Sequence, residues 1–450
     1  AGGVVVNLNV MSHGQELARL LSHSGSKLVI TLDLFVENVL AVVTLTLLES
    51  IIVHSVFGKE KEIKLEKGSP EILVYSDLVA GVSVEEPALT CSKEDNAVFQ
   101  YTSGVTGAPK AAVLTHQNLV SNVIQIDAWN TVLHTDNDAA ICQIPFFHVF
   151  GMTICLLVSV YRAYRMVLFP RFDWSSIIEI LRVIEKYQPV SFPAVPAFWA
   201  ALVSNSETAK YGLSSIKIPT GGGAPLPEWV QEKYLELTGR KISQAYGLSE
   251  VSSTALITPF YSGTISESVG VPLPDTDARI MDMETGKIEL GVGEVGELII
   301  KGPQVMKEYW QNEEKTKEAL RDGWLYTGDL ARMDERGFFY IVDRKDDLII
   351  SNGFNIYPTE IEEVMKNHPD IKDIIVIGVP DKMCGEAIAA FIIPEEEKRP
   401  ERKEMIAYCR EHLPENKIPR IYKIREELPR NRIGKPLRRV LREEYEKLKK

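Results

Sequence analysis

Tyr101-Thr102-Ser103-Gly104-Val105-Thr106-Gly107-Ala108-Pro109-Lys110 decides how this chain is read. Gly104 and Gly107 carry no Cβ, so backbone N–H groups can approach an anion closely, while Thr102, Ser103 and Thr106 offer hydroxyl donors and Lys110 a point charge. The expected ligand is a nucleoside triphosphate. A Walker A loop is disfavoured, because Pro109 precedes the lysine and Ala111 follows it, where that pattern requires Gly before and Ser or Thr after. A surface turn rich in glycine and hydroxyls is the plain alternative, and this segment alone does not separate the two.

Working outward, Pro145-Phe146-Phe147-His148-Val149-Phe150-Gly151 lies downstream, followed by Gly221-Gly222-Gly223-Ala224-Pro225 and Gln244-Ala245-Tyr246-Gly247-Leu248-Ser249-Glu250. Tyr326-Thr327-Gly328-Asp329-Leu330 comes next, then the stretch from Gly337 through Asp343-Arg344-Lys345-Asp346 to Gly353-Phe354-Asn355-Ile356-Tyr357-Pro358. Pro429-Arg430-Asn431-Arg432-Ile433-Gly434-Lys435 closes the series. In this order and spacing the motifs resemble the adenylate-forming superfamily across nearly the whole chain. Within it they are most like the medium- and long-chain fatty acid–CoA ligases of the acyl-CoA synthetase branch.

Composition agrees with a large enzyme. A chain of 450 residues with 45% hydrophobic content fills more than one core. A formal net charge of −12 argues against a non-specific nucleic-acid binder, which needs a basic field to displace counterions. The basic run from Arg438 to Lys450 is interleaved with Glu443, Glu444 and Glu446, so a solvated helix face is expected. Cys91, Cys142, Cys155, Cys384 and Cys409 form neither a close pair nor a metal-ligand spacing, which fits free thiols in the cytoplasm. The apolar stretch from Val39 to Phe57 is interrupted by Glu49 and His54, so a buried helix or a helix–strand pair is expected rather than a membrane span. A peripheral membrane contact and a homodimer both stay open.

Strands are expected at 97–101 and 111–114, with Thr115 capping the helix that follows. Lys217 to Pro219 and Ile242 to Gln244 look like strand ends that deliver loops, and Trp174 to Tyr187 and Glu228 to Leu237 look like helices. This alternation predicts an α/β fold, a large layered N-terminal domain of sheets flanked by helices. After Asp343 a charged run leads into a small α+β domain. It is expected to open with a capping box, Thr359 and Glu362, on a helix ended by His368-Pro369, followed by strands at 374–379 and 387–393. The expected domains are residues 1–345 and 346–450. The opening Ala1 to Asn7 resembles an internal strand of the family, ahead of which relatives carry a further segment; without that segment the sheet is expected to have an unprotected edge.

The resemblance implies ATP- and Mg²⁺-dependent activation of a carboxylic acid, of the fatty type by its motifs, followed by transfer to coenzyme A. A carboxylate already ionised at neutral pH needs charge stabilisation more than a base. Thr102, Ser103, Gly104, Thr106, Gly107 and Lys110 match the loop around the β- and γ-phosphates. Glu250 matches the magnesium carboxylate, and Ser249 stands where relatives usually carry threonine beside the α-phosphate. Gly222, Gly223, Ala224, Tyr246 and Gly247 correspond to the adenine shelf and acyl-pocket wall. Asp329 matches the residue that accepts from both ribose hydroxyls, and Arg344 a ribose- or phosphate-contacting arginine. His148 aligns with a gate near the substrate carboxylate, while Phe146, Phe147, Phe150 and Met152 are either channel or core. Lys435 is the expected catalytic cation of the first half-reaction, Asp346 the hinge, and Gly353 and Phe354 the turn beside the CoA tunnel. Ile350 replaces a lysine of luciferase-like relatives, so that lysine's role does not transfer. An aryl-CoA ligase of the 4-coumarate type, a stand-alone adenylation domain and an inactive binding protein are the competing readings.

Overall fold

The computed structural model describes residues 2–56, 70–85, 88, 90–102, 109–130, 138–169, 177–260, 267–381, 383–430 and 434–449. A seven-stranded sheet forms its centre, running in space through Val271–Pro272, Leu256–Ile257, Ser243–Tyr246, Ile218–Gly222, Ser191–Ala194, Ala139–Cys142 and Arg165–Leu168. The last five are mutually parallel, and their carboxyl ends therefore share one edge. Ala139–Cys142 and Ile218–Gly222 are buried at every position, as strands covered on both faces must be. One face packs on helices Ile177–Tyr187, Pro196–Ser204 and Glu228–Thr238 through Ile180, Leu181, Ile184, Trp199 and Tyr234. The buried positions 177, 180, 181 and 184 repeat at helical spacing, which turns one stripe of that helix to the sheet. The expected helix start at Trp174 lies outside the described residues.

A second sheet presents the hydroxyl loop. Val5–Asn7, Asn96–Tyr101, Ala111–Thr115 and Glu308–Tyr309 lie side by side in that order, so Val5–Asn7 is an edge among the described residues. Thr115 caps helix His116–Trp129 reciprocally with Asn118, as expected. A third, antiparallel sheet pairs Trp324–Met333 with Phe339–Arg344 and sets Asp329 directly across from Arg344. The apolar stretch from Val39 divides into helix Val36–Leu40, a short turn at Val43–Leu45 and strand Ser50–His54, with Phe57 outside the described residues. Among the described residues no helix is long and apolar enough to cross a membrane.

Residues from 349 onward build their own sheet, Ile349–Ser351, Phe354–Ile356, Ile371–Asp381, Gly385–Pro394 and Ile421–Ile424. Both hydrophobic clusters on this sheet draw only on residues after 348. One expectation fails here. Helix Pro358–Lys366 has no side-chain cap: Pro358 opens it, the Thr359 N–H donates to Asp343 Oδ2 at 3.0 Å, and Glu362 points inward. The C-terminal helix Arg438–Lys449 has the expected solvated face, with Glu443 and Glu446 exposed, while on its other side Arg438 is buried with Nη2 donating to both Glu362 oxygens at 2.8 Å and Leu441 enters the core. A capping signature is local, whereas Glu362 answers a partner 76 residues away.

Candidate active site

The hydroxyl loop is clamped at its mouth, where the Thr102 N–H donates to the Lys110 carbonyl at 2.9 Å. Ser103, Gly104, Thr106 and Gly107 lie outside the described residues. Among the described residues Thr102 Oγ1 is buried without a hydrogen-bond partner, an oxygen whose desolvation a ligand would offset. Lys110 Nζ donates to the Tyr309 hydroxyl at 3.0 Å and stands 3.7 Å from Glu250 Oε1. The Tyr309 hydroxyl donates in turn to that Glu250 oxygen at 2.6 Å. Burial, and then the Glu250 charge, push the Tyr309 pKa far up, so it remains a donor. Ser249 and Glu250 share the short turn Ser249–Val251, and the Glu250 carbonyl accepts from the Met306 N–H at 2.8 Å.

A second polar group faces the same cleft. Asp329, 5% exposed, holds Arg344 on Oδ1 at 3.0 Å and accepts from the Tyr246 hydroxyl on Oδ2 at 2.6 Å. The Asp329 charge raises the Arg344 pKa, and burial with that same charge raises Tyr246. Lys435 comes from beyond residue 349 into electrostatic reach of Arg344, Asp329 and Asp347. Lys435 is exposed by its accessible surface, and desolvation at the lip of the site, then repulsion from Arg344, lower its pKa.

The wall between these groups is built for close approach. His148, Phe150, Gly222, Gly223, Tyr246 and Gly247 line one pocket. A Cβ on Gly247 would fall 1.4 Å from the Ser253 carbonyl oxygen, so no side chain fits there, and Gly223 holds φ +85°. Ala224 follows at the end of strand Ile218–Gly222. Burial lowers the His148 pKa, and its Nδ1 accepts from the Phe150 N–H at 3.2 Å, which leaves Nε2 to carry the proton of the neutral ring. Thr254 joins this pocket to a second, mostly apolar one lined by Ile126, Trp129, Ile154, Val158 and Leu273. Phe150 and Met152 are core residues, 7% and 5% exposed.

Asp346 lies on the turn Lys345–Asp347, between two anchors. Lys345 reaches back to Glu297 at 2.7 Å, whereas Asp347 pairs with Arg438 and Arg442 at 3.4 and 3.3 Å. Gly353 and Phe354 form the tip of the Ile349–Ser351/Phe354–Ile356 hairpin; Phe354 is 56% exposed, so this arrangement does not add it to the cluster. Tyr309 is the residue that sequence reasoning missed. Its partners lie 199 and 59 residues away, and no local pattern points to them.

The site fits its implied ligands. The unpartnered Thr102 hydroxyl and the Lys110 ammonium suit phosphate oxygens, and Glu250 offers an oxygen to a hard divalent cation. Among the described residues no three His, Cys, Asp or Glu side chains cluster tightly enough to cage a metal. A magnesium ion held here would take its remaining ligands from phosphate and water.

A central, largely parallel sheet with glycines at its carboxyl edge, and Lys435 brought toward Asp329 and Arg344 from the C-terminal part of the chain, are the marks of a nucleotide-dependent acid-activating enzyme. The chain belongs to the AMP-binding enzyme family, whose pattern matches residues 1–310, and residues 360–435 match the AMP-binding enzyme C-terminal domain. It is similar to the long-chain-fatty-acid–CoA ligase of Bacillus subtilis (strain 168), 39% identical over 99% of this chain and 81% of that protein. Among solved structures, ATP-bound MatB from Rhodopseudomonas palustris aligns with TM-score 0.86 at 30% identity, over 100% of this chain and 85% of that one. The apo form of the same protein aligns over the same shares, also at 30% identity, with TM-score 0.73.

Proposed function

We propose that this chain is an AMP-forming ligase that converts a long-chain fatty acid, ATP and CoA to acyl-CoA, AMP and pyrophosphate. The observation that carries this reading is the convergence of Lys435 with Asp329 and Arg344, on a site whose other end holds Lys110 and Glu250. The 39% identity to a long-chain-fatty-acid–CoA ligase favours a fatty over an aryl acid, and the apolar pocket beyond Thr254 offers a path for an alkyl chain.

In the first half-reaction an ionised carboxylate oxygen attacks the α-phosphorus, the bond to the bridging oxygen of the β-phosphate breaks, and pyrophosphate leaves. Lys110 with the Thr102 hydroxyl holds the departing phosphates, and Ser249 the α-phosphate. Magnesium, held by Glu250, would neutralise charge on the leaving group. Asp329 keeps an acceptor lone pair on each oxygen for the ribose hydroxyls, beyond the bonds from Arg344 and Tyr246. The preorganised Lys435 ammonium stabilises charge on the α-phosphate and the incoming carboxylate. Neutral His148 gates the carboxylate without competing as a cation.

The second half-reaction requires the adenylate to meet a thiol. Residues 346–450 would turn as a unit about Asp346 and bring the Gly353–Phe354 turn towards the pantetheine path. Support comes from the opposite anchoring of Lys345 and Asp347, and from the better alignment with ATP-bound than with apo MatB, which suits the arrangement before that turn. The reading extends to a cytoplasmic homodimer in peripheral contact with a membrane that carries its acids; light scattering and vesicle sedimentation test those two parts. The main test supplies Mg·ATP with acids from acetate to palmitate and with coumarate, with and without CoA, and measures pyrophosphate, AMP and thioester. Palmitate-dependent thioester is expected. A folded chain that turns over no acid contradicts the reading, and coumarate outrunning palmitate redirects it to the aryl class.

A further inference from the structure

We infer that Tyr309 is a positioning residue that keeps Lys110 and Glu250 apart, ready for phosphate and metal, by standing between them. The inference rests on the ligase reading, because that reading gives the two charges their separate ligands. Lys110 Nζ and Glu250 Oε1 are 3.7 Å apart, beyond normal hydrogen-bonding distance, while the Tyr309 hydroxyl accepts from one at 3.0 Å and donates to the other at 2.6 Å. Its ring also takes the ammonium at 4.3 Å from the centroid.

The position is built from both sides. Tyr309 lies opposite Ala112, two residues after Lys110 on the neighbouring strand, so its side chain meets the lysine on one face of the sheet. The segment that carries it also fixes the Glu250 backbone, through the Met306 N–H at 2.8 Å, and the Tyr309 N–H is held by Thr316 Oγ1 at 2.9 Å. The tyrosine is 5% exposed and packs in the main hydrophobic cluster, so its hydroxyl has little freedom to swing away. Removing that hydroxyl leaves the lysine and the carboxylate free to shorten their 3.7 Å ion pair into a direct hydrogen-bonded contact. Such a pair competes with phosphate for the cation and with magnesium for the anion.

The test measures binding rather than turnover. Tyr309→Phe keeps the ring, and titration calorimetry with a non-hydrolysable ATP analogue, with Mg²⁺ and with chelator, reads the two charges separately. Affinity is expected to fall about tenfold in Mg²⁺, with a smaller loss in chelator where only the lysine is engaged. Adding Glu250→Gln to Tyr309→Phe removes the competing charge and should restore chelator-phase affinity to the wild-type value. A purely structural tyrosine predicts no such rescue. Equal affinity of wild type and Tyr309→Phe in both phases overturns the inference and leaves the ligase reading standing. Wild-type protein that binds no nucleotide overturns both.

Discussion

Two arginine–carboxylate pairs lie on either side of the turn at Asp346, and they differ in what surrounds them. Arg438 and Glu362 are enclosed together, with side chains 9% and 7% exposed. Arg438 Nη2 donates to both Glu362 oxygens, its Nε donates to the Val376 carbonyl at 3.1 Å, and its Nη1 reaches Asp347 at 3.4 Å. Every direction is used by protein. Arg344 and Asp329 make a single contact, and the arginine side chain is 32% exposed. One pair closes a core, whereas the other leaves hydrogen-bonding capacity for something outside the protein. Burial raises the Glu362 pKa against the pull of Arg438, which is the cost of burying a carboxylate even when it is paired.

The difference can be broken by substitution. Glu362→Ala strands a buried guanidinium and should cost about 3–5 kcal/mol of stability, seen as a lowered thermal midpoint with both half-reactions falling together. Lys435→Ala should leave the melting curve unchanged and reduce adenylation by ~10²–10³, or roughly 3–4 kcal/mol, measured as pyrophosphate release. Acyl transfer from supplied acyl-adenylate should persist in that variant. Asp329→Asn removes a charged acceptor at the open pair; ATP affinity should fall by roughly 1.5–3 kcal/mol, about 10- to 100-fold, with little change in stability. A simultaneous collapse of stability in Asp329→Asn would erase the distinction between the pairs.

A smaller effect follows from pH. The Lys435 pKa is lowered by desolvation and by Arg344, so in free enzyme the ammonium loses its proton at a lower pH than an ordinary lysine. Raising pH removes the cation, so kcat/KM for adenylation should fall along an alkaline limb that begins below the usual lysine range. Lys435→Arg, which stays protonated, should lack that limb even if its rate is lower; a limb of unchanged position would assign it to another group.

The same contrast explains what could be read in the sequence. The glycines at 222, 223 and 247, Asp329 after Gly328 and the Lys435 loop belong to compact motifs whose backbone requirements are local; the glycines line one pocket with Tyr246, whose hydroxyl meets Asp329, and Asp329 lies within electrostatic reach of Lys435. The expected helix at 228–237 is found as Glu228–Thr238, and the strand ends expected at 217–219 and 242–244 lie in strands Ile218–Gly222 and Ser243–Tyr246. Glu362 misled because Thr359 and Glu362 have the spacing of a cap, while its partner Arg438 sits in a run that looks solvated. Tyr309 left no signal at all, since an edge strand only two residues long has no period, and its meaning comes from Lys110 and Glu250 on other elements. Long-range pairing among charges is where one sequence carries least information.

The most direct measurement is exchange of labelled pyrophosphate into ATP, without CoA and with or without palmitate. The account predicts exchange that depends on palmitate and magnesium and continues in the absence of CoA, because the adenylate forms before the thiol is needed. Exchange at the same rate without any acid, or none from a folded chain that binds Mg·ATP, would contradict it.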